Sequence, residues 1–144
     1  MNNFAKLIEN IDKTNKTNEK VLALEEYFKI ASNKDKVWTI ALFSSKRPKR
    51  AIKSTKLREY AAELANIPLW LFEESYHIVG DLAETISLII PNQKSSASNK
   101  NLSQYIIEIK NLKNFDEEVQ KQYLFDSWLS MDYYSRFVFN KIIT

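Results

Sequence analysis

The chain has 144 residues, a net charge of +3 and no cysteine, a length suited to one core and a composition that excludes disulfides, thiolate metal sites and a catalytic thiol. One glycine and three prolines, against usual shares of about 7% and 5%, leave few residues for hairpins or bulges, so helix is favoured throughout. No window approaches the roughly 18 apolar residues of a membrane span, and Met1 to Glu9 mixes Asn, Lys and Glu among its apolar positions; the expected setting is cytoplasmic, without a membrane partner.

Phe4, Leu7, Ile8 and Ile11 recur at helical spacing and predict a first amphipathic helix. Val21, Leu24, Phe28 and Ala31 predict a second, its N-terminus capped by Thr17 or Asn18 after a linker rich in Asn, Thr and Lys. Asp35 is the expected cap of a third helix. Val37, Trp38, Ile40, Ala41, Leu42 and Phe43 make that helix apolar nearly all round, which predicts burial. Pro48 interrupts the helical pattern, and a new helix starts at Ser54 or Thr55 with Leu57, Tyr60, Ala61 and Leu64 on one face, ending near Asn66. The next runs from Leu69 to about Val79. Gly80 is placed to end it in a left-handed conformation, with Asp81 capping a helix from Leu82 to Ile90.

The stretch PNQKSSASNKN, over 91–101, lacks periodicity and reads as a polar surface loop. Leu102, Tyr105, Ile106 and Ile109 then mark one helix. Asp116 caps another bearing Val119, Tyr123, Leu124 and Trp128, and Asp132 caps a last one with Tyr134, Phe137, Val138 and Ile142. The expected fold is all-α: a single compact domain of about eight to nine short helices over 1–144.

The charge is unevenly distributed. Lys46, Arg47, Lys49, Arg50, Lys53, Lys56 and Arg58 give residues 46–58 a charge of +7 with no acid, which leaves −4 for the rest of a +3 chain. Such a cluster repels itself and becomes favourable when phosphates neutralise it and release counterions. Ser54, Thr55 and the first amides of the helix they open add donors suited to a phosphate. A merely solubilising basic loop is the plainer alternative.

Catalytic constellations are missing. Phosphate-cradling loops of the P-loop or dinucleotide type need several glycines. His77 has only Glu73, Glu74 and Asp81 nearby, and a lone histidine near a helix end is usually a packing or capping residue, so no metal site is expected. Glu73 and Glu74 are adjacent and diverge by about 100° around the helix, which is wrong for a shared proton or metal.

The segments SSKRPKR and STKLREYAAELANIPLWLFEESYHIVGDLAETISLIIP, with the opening FAKLIENIDKTNKTNEKVLALEEYF, resemble the N-terminal DNA-binding region of bacterial and archaeal ATP-dependent DNA ligases. Residues 1–91 carry most of the likeness. The resemblance implies a module that meets nicked double-stranded DNA through the sugar–phosphate backbone, independent of sequence, so that adenylation and OB domains can close around it during repair, replication or recombination. Carried over by position, Lys46, Arg47, Lys49, Arg50, Lys53, Ser54, Thr55 and Lys56 form the first contact region. Gly80 marks a second, beside Asp81, whose carboxylate competes with a phosphate for the same amides.

The ligase nucleophile is a lysine in a Lys-x-Asp-Gly motif, and this chain has none. ATP, magnesium and the sealing chemistry are therefore expected in adenylation and OB domains absent from this chain, and the chain itself is expected to be a non-catalytic monomer that works beside those domains. Its end at Thr144, with no closing cap, is what a domain cut at its boundary would look like. The rival reading is a stand-alone helical adaptor that docks another protein through its aromatic residues, with the basic loop as a rim.

Overall fold

The computed structural model describes residues 1–92 and 98–144. Among them the chain forms nine α-helices, a short 3-10 turn and no strand, so the all-helical expectation holds. The polar loop expected over 91–101 lies partly outside the described residues. The chain divides into two compact units, Met1–Arg47 with Asn99–Glu108, and Pro48–Ser98 with Ile109–Thr144.

The first unit holds α1 (Asn2–Asp12), α2 (Thr17–Ile30), α3 (Asn33–Phe43) and the first seven residues of α7 (Leu102–Asn111). Phe4 on α1 sits edge-on to Tyr27 at 6.1 Å between ring centroids and 6.4 Å from Phe43. Leu7, Tyr27, Leu102, Tyr105 and Ile106 are buried with it, each such side chain stabilising by about 1.5–3 kcal/mol. Within this core Thr39 Oγ1 lies 2.9 Å from the Tyr27 hydroxyl. Burial pushes the Tyr27 phenol above its usual range, against that hydrogen bond.

Four expectations fail here. Lys16, not Thr17 or Asn18, is the N-cap of α2, and it makes no side-chain cap; Thr14 Oγ1 instead accepts from the Lys16 amide at 3.1 Å. The buried face of α2 turns on Tyr27, which leaves Val21 exposed. Finally, α3 is capped by Ser32, whose hydroxyl accepts from the Asp35 amide at 3.2 Å. The Asp35 carboxylate is itself buried and accepts from the Ser103 amide at 2.9 Å. Nor is α3 wholly buried, since Val37, Ile40 and Phe43 are exposed.

The N-terminus of α7 shows a reciprocal cap. Asn101 Oδ1 accepts from the Gln104 amide at 3.0 Å, and Gln104 Oε1 accepts from the Asn101 amide at 2.8 Å, the capping-box arrangement.

The second unit contains α4 (Ser54–Ala65), α5 (Leu69–Val79), α6 (Leu82–Ile89), the end of α7, the 3-10 turn (Leu112–Asn114), α8 (Glu117–Leu129) and α9 (Tyr133–Ile143). Helix α4 packs on α5, α6 and α8, and α9 lies along α6. Leu57, Phe72, Ile86, Leu124, Trp128 and Phe139 are fully buried. The three predicted aspartate caps of this unit are present: Asp81, Asp116 and Asp132 accept from the amides of Glu84, Val119 and Ser135 at 2.8, 3.0 and 2.9 Å. Gly80 ends α5 at φ 81°, and Asn66 ends α4 at φ 55°, as the sequence leads one to expect of these two residue types.

Polar side chains from α9 reach into the core. Asn140 accepts from the Trp128 indole N–H at 2.7 Å and donates to Ser87 Oγ at 3.1 Å. Arg136, only 1% exposed, donates to the carbonyls of Trp128, Ser87, Ile90 and Met131 at 2.9–3.0 Å.

Candidate nucleic-acid interface

The basic segment begins where α3 is shut by a glycine-free Schellman turn. Ser45 takes a left-handed φ of 61°; its amide donates to Leu42 O at 3.0 Å and that of Lys46 to Ala41 O at 2.8 Å, satisfying carbonyls that would otherwise lack donors. The first unit then closes with Lys46 and Arg47, both exposed.

The second unit opens as an irregular stretch from Pro48, anchored by Ile52, which is 6% exposed. Lys49, Arg50 and Lys53 stay in solvent on either side of that anchor. An apolar residue inside a run of cations was the available sign that this segment is tethered, and the charge pattern drew attention away from it. The Arg50 guanidinium donates to Thr144 O at 2.6 Å.

Lys53 is the N-cap of α4, with extended backbone and no side-chain cap, and the first turn has no acid. The amides of Ser54, Thr55 and Lys56 consequently have no acceptor among the described residues. They form the positive end of a 12-residue helix, a geometry that favours an anion. Thr55 is exposed and Ser54 half-buried.

The cations separate by partner. Among the described residues Lys46, Lys49 and Lys53 make no ion pair. Lys56 lies 3.5 Å from Glu59 and 3.8 Å from Glu117, and Glu117 above all, then Glu59, raises its ammonium above the usual range. Arg58 donates to both Glu73 oxygens at 3.2 and 2.9 Å and to Ser54 O at 3.3 Å. The positive field of 46–58 is thus concentrated in its first eight residues, while Lys56 and Arg58 tie α4 to α8 and α5.

The N-terminus of α6 is built differently. Gly80 is exposed, and a Cβ built on it would meet nothing within 4 Å, so its backbone is open to approach. The amides behind it are already served by Asp81, which also pairs with Lys141. Burial pushes the Asp81 carboxyl up, but Lys141 and the amides of Glu84 and Ala83 outweigh it and hold the group below its ordinary range. An ionised carboxylate at this cap makes Gly80 a weaker place for a phosphate than Lys53 to Lys56. His77 is exposed, and among the described residues no cluster of three or more His, Cys, Asp or Glu is placed to hold a metal.

The described residues thus form an all-helical module with an uncapped helix N-terminus behind a cationic loop. The family model described as DNA ligase N terminus matches residues 1–144, and the chain belongs to that family, the N-terminal domain of ATP-dependent DNA ligases. Searches of curated proteins and of solved structures returned no match. No helix among the described residues is long and apolar enough to cross a membrane.

Proposed function

We propose that this chain grips nicked duplex DNA through its sugar–phosphate backbone, without reading sequence, on behalf of a ligase whose adenylation and OB domains carry the chemistry. The reading rests chiefly on one observation, the open amides of Ser54, Thr55 and Lys56 behind exposed, unpaired Lys49 and Lys53. Backbone amides and lysines bind phosphate without distinguishing bases, which suits an enzyme that must seal any sequence. Lys46, Arg47 and Arg50 add charge, and Gly80 offers backbone that can come close to a strand. Lys56, held between two carboxylates, is left out of the contact set. ATP and magnesium have no part in this chain's own role.

Five phosphate contacts, by Lys46, Arg47, Lys49, Arg50 and Lys53, contribute about −4.5 to the log–log salt slope on B-DNA. Fluorescence anisotropy of the chain with nicked and intact duplexes of mixed sequence, at several salt concentrations, measures it. Replacing Lys46, Arg47, Lys49 and Arg50 by alanine should weaken binding and make the slope shallower by about 3.6 while helicity is unchanged. Wild-type binding by that variant would remove the loop from the interface.

The exposed apolar side chains of α5, Trp70 at 66% and Ile78 at 81% with Leu69 and Leu71, favour a protein-docking adaptor as the second reading. Docking there should be nearly indifferent to salt, so the same titration separates the two.

A further inference from the structure

We propose that the turn Lys110–Asn114 supplies a second row of phosphate contacts beside the basic loop, with Lys110 and Lys113 as its cations and a duplex sugar–phosphate backbone as its ligand. This rests on the duplex-binding reading above.

The basic loop and this turn lie far apart in sequence, but Lys49, Arg50 and Ile52 line the same small cleft as Ile109, Leu112 and Ile143. Ile109 and Leu112 are buried there. Burial of those two turns Lys110, Asn111, Lys113 and Asn114 outward, and all four are exposed. The cations of both segments therefore flank one apolar anchor.

The turn is also held in shape. Gln120 Nε2 donates to Leu112 O at 2.8 Å and to Phe115 O at 3.2 Å, and the Phe115 amide donates to Leu112 O at 3.1 Å. A fixed turn loses little conformational entropy when it meets a ligand.

A lysine in the last turn of a helix is commonly there for the helix dipole, and this accounts for Lys110. It does not account for Lys113, which lies beyond α7 and makes no ion pair among the described residues. The acids that follow it are already engaged, Asp116 in capping α8 and Glu117 with Lys56. Two cations and two exposed amides on a fixed turn, beside a cleft that the basic loop also lines, suit a phosphate strand.

The test replaces Lys110 and Lys113 by glutamine in the full chain and measures the salt slope on a mixed-sequence duplex, with circular dichroism as the check on helicity. The slope should become shallower by about 1.8, or 0.9 per contact, and Lys110→Arg with Lys113→Arg should restore it. Lys113→Gln alone, outside any α-helix, provides a variant without risk to α7 and should flatten the slope by about 0.9. Wild-type slope and affinity in both glutamine variants, while the four-alanine loop variant loses binding, would overturn this inference and leave the duplex-binding reading standing. Absence of binding by the unmodified chain at low salt would overturn both.

Discussion

Arg136→Met should destabilise the chain by about 3–5 kcal/mol, the cost observed when one partner of a buried charged network is removed. The magnitude follows from what the guanidinium serves. Its four hydrogen bonds go to Ser87 and Ile90 at the end of α6 and to Trp128 and Met131 at the end of α8. Carbonyls in a last helical turn have no intrahelical donor. For Ser87 the i+4 residue is Pro91, which has no N–H to give. One side chain thus caps two helices at their negative ends, where a cation is favoured.

Burial lowers the Arg136 pKa, and Asp132 only partly opposes this. Removing the charge would recover that desolvation cost, which is why the expected loss is a few kcal/mol rather than the gross value of four charge-assisted bonds. The carbonyls cannot be substituted along with the arginine, so methionine fills the volume but leaves them dry. Urea unfolding followed by far-UV circular dichroism and tryptophan fluorescence, with Trp128 as a reporter inside the network, gives the number. A loss of about 3 kcal/mol corresponds to a Tm lower by roughly 6–12 °C for a chain near 150 residues. Arg136→Lys keeps the charge but not the planar fork and should fall between. If Arg136→Met unfolds within about 1 kcal/mol of wild type, the double-cap argument is wrong.

Asp81 predicts a pH dependence. Its folded pKa is depressed, so its contribution is fully present above the unfolded value of about 4 and is lost as pH falls through the folded value. Asp81→Ala should cost about 1 kcal/mol at pH 7 through the lost cap, and the gap to wild type should narrow on acid titration below pH 4; a constant gap would mean the carboxylate is not the group responsible. Ser45→Gly should raise stability by up to about 1 kcal/mol, because a left-handed residue without Cβ is unstrained. Gly80→Ala should lower it by about 1 kcal/mol through backbone strain alone, since the methyl meets no neighbour; thermal melts of the two variants should shift in opposite directions.

Most helix positions were legible because their signals are local. Gly80, Asp81, Asp116 and Asp132 act within three residues of themselves, and Leu102, Tyr105, Ile106 and Ile109 declare a buried face by spacing alone. Asp35 misled because Ser32, three residues earlier, competes for the same capping role, and a hydrogen bond from Ser103, 68 residues away, takes the carboxylate instead. Helix α2 has apolar residues on several faces, and the contacts of Tyr27 with Phe4 and Thr39, from other helices, select it for burial. Arg136 and Asn140 were invisible as core residues, since their burial depends on carbonyls and an indole supplied by other helices.

The interface divides along the same line. A cluster of cations is visible as composition, but its effective charge depends on which acids the fold brings near, and Glu73 and Glu117 reach Arg58 and Lys56 only through helix packing. The wild-type salt slope alone does not separate the two accounts: all seven window cations predict about −6.3, and so do the five loop cations plus Lys110 and Lys113. Paired substitutions do separate them. Lys56→Gln exchanges one duplex contact for none if the window acts as a whole, flattening the slope by about 0.9. If Lys56 belongs to Glu117, the same change leaves the slope in place and appears as a small loss of stability between α4 and α8. An unchanged slope for Lys56→Gln, beside a shallower one for Lys113→Gln, would show that packing rather than sequence proximity decides which cations face the phosphates.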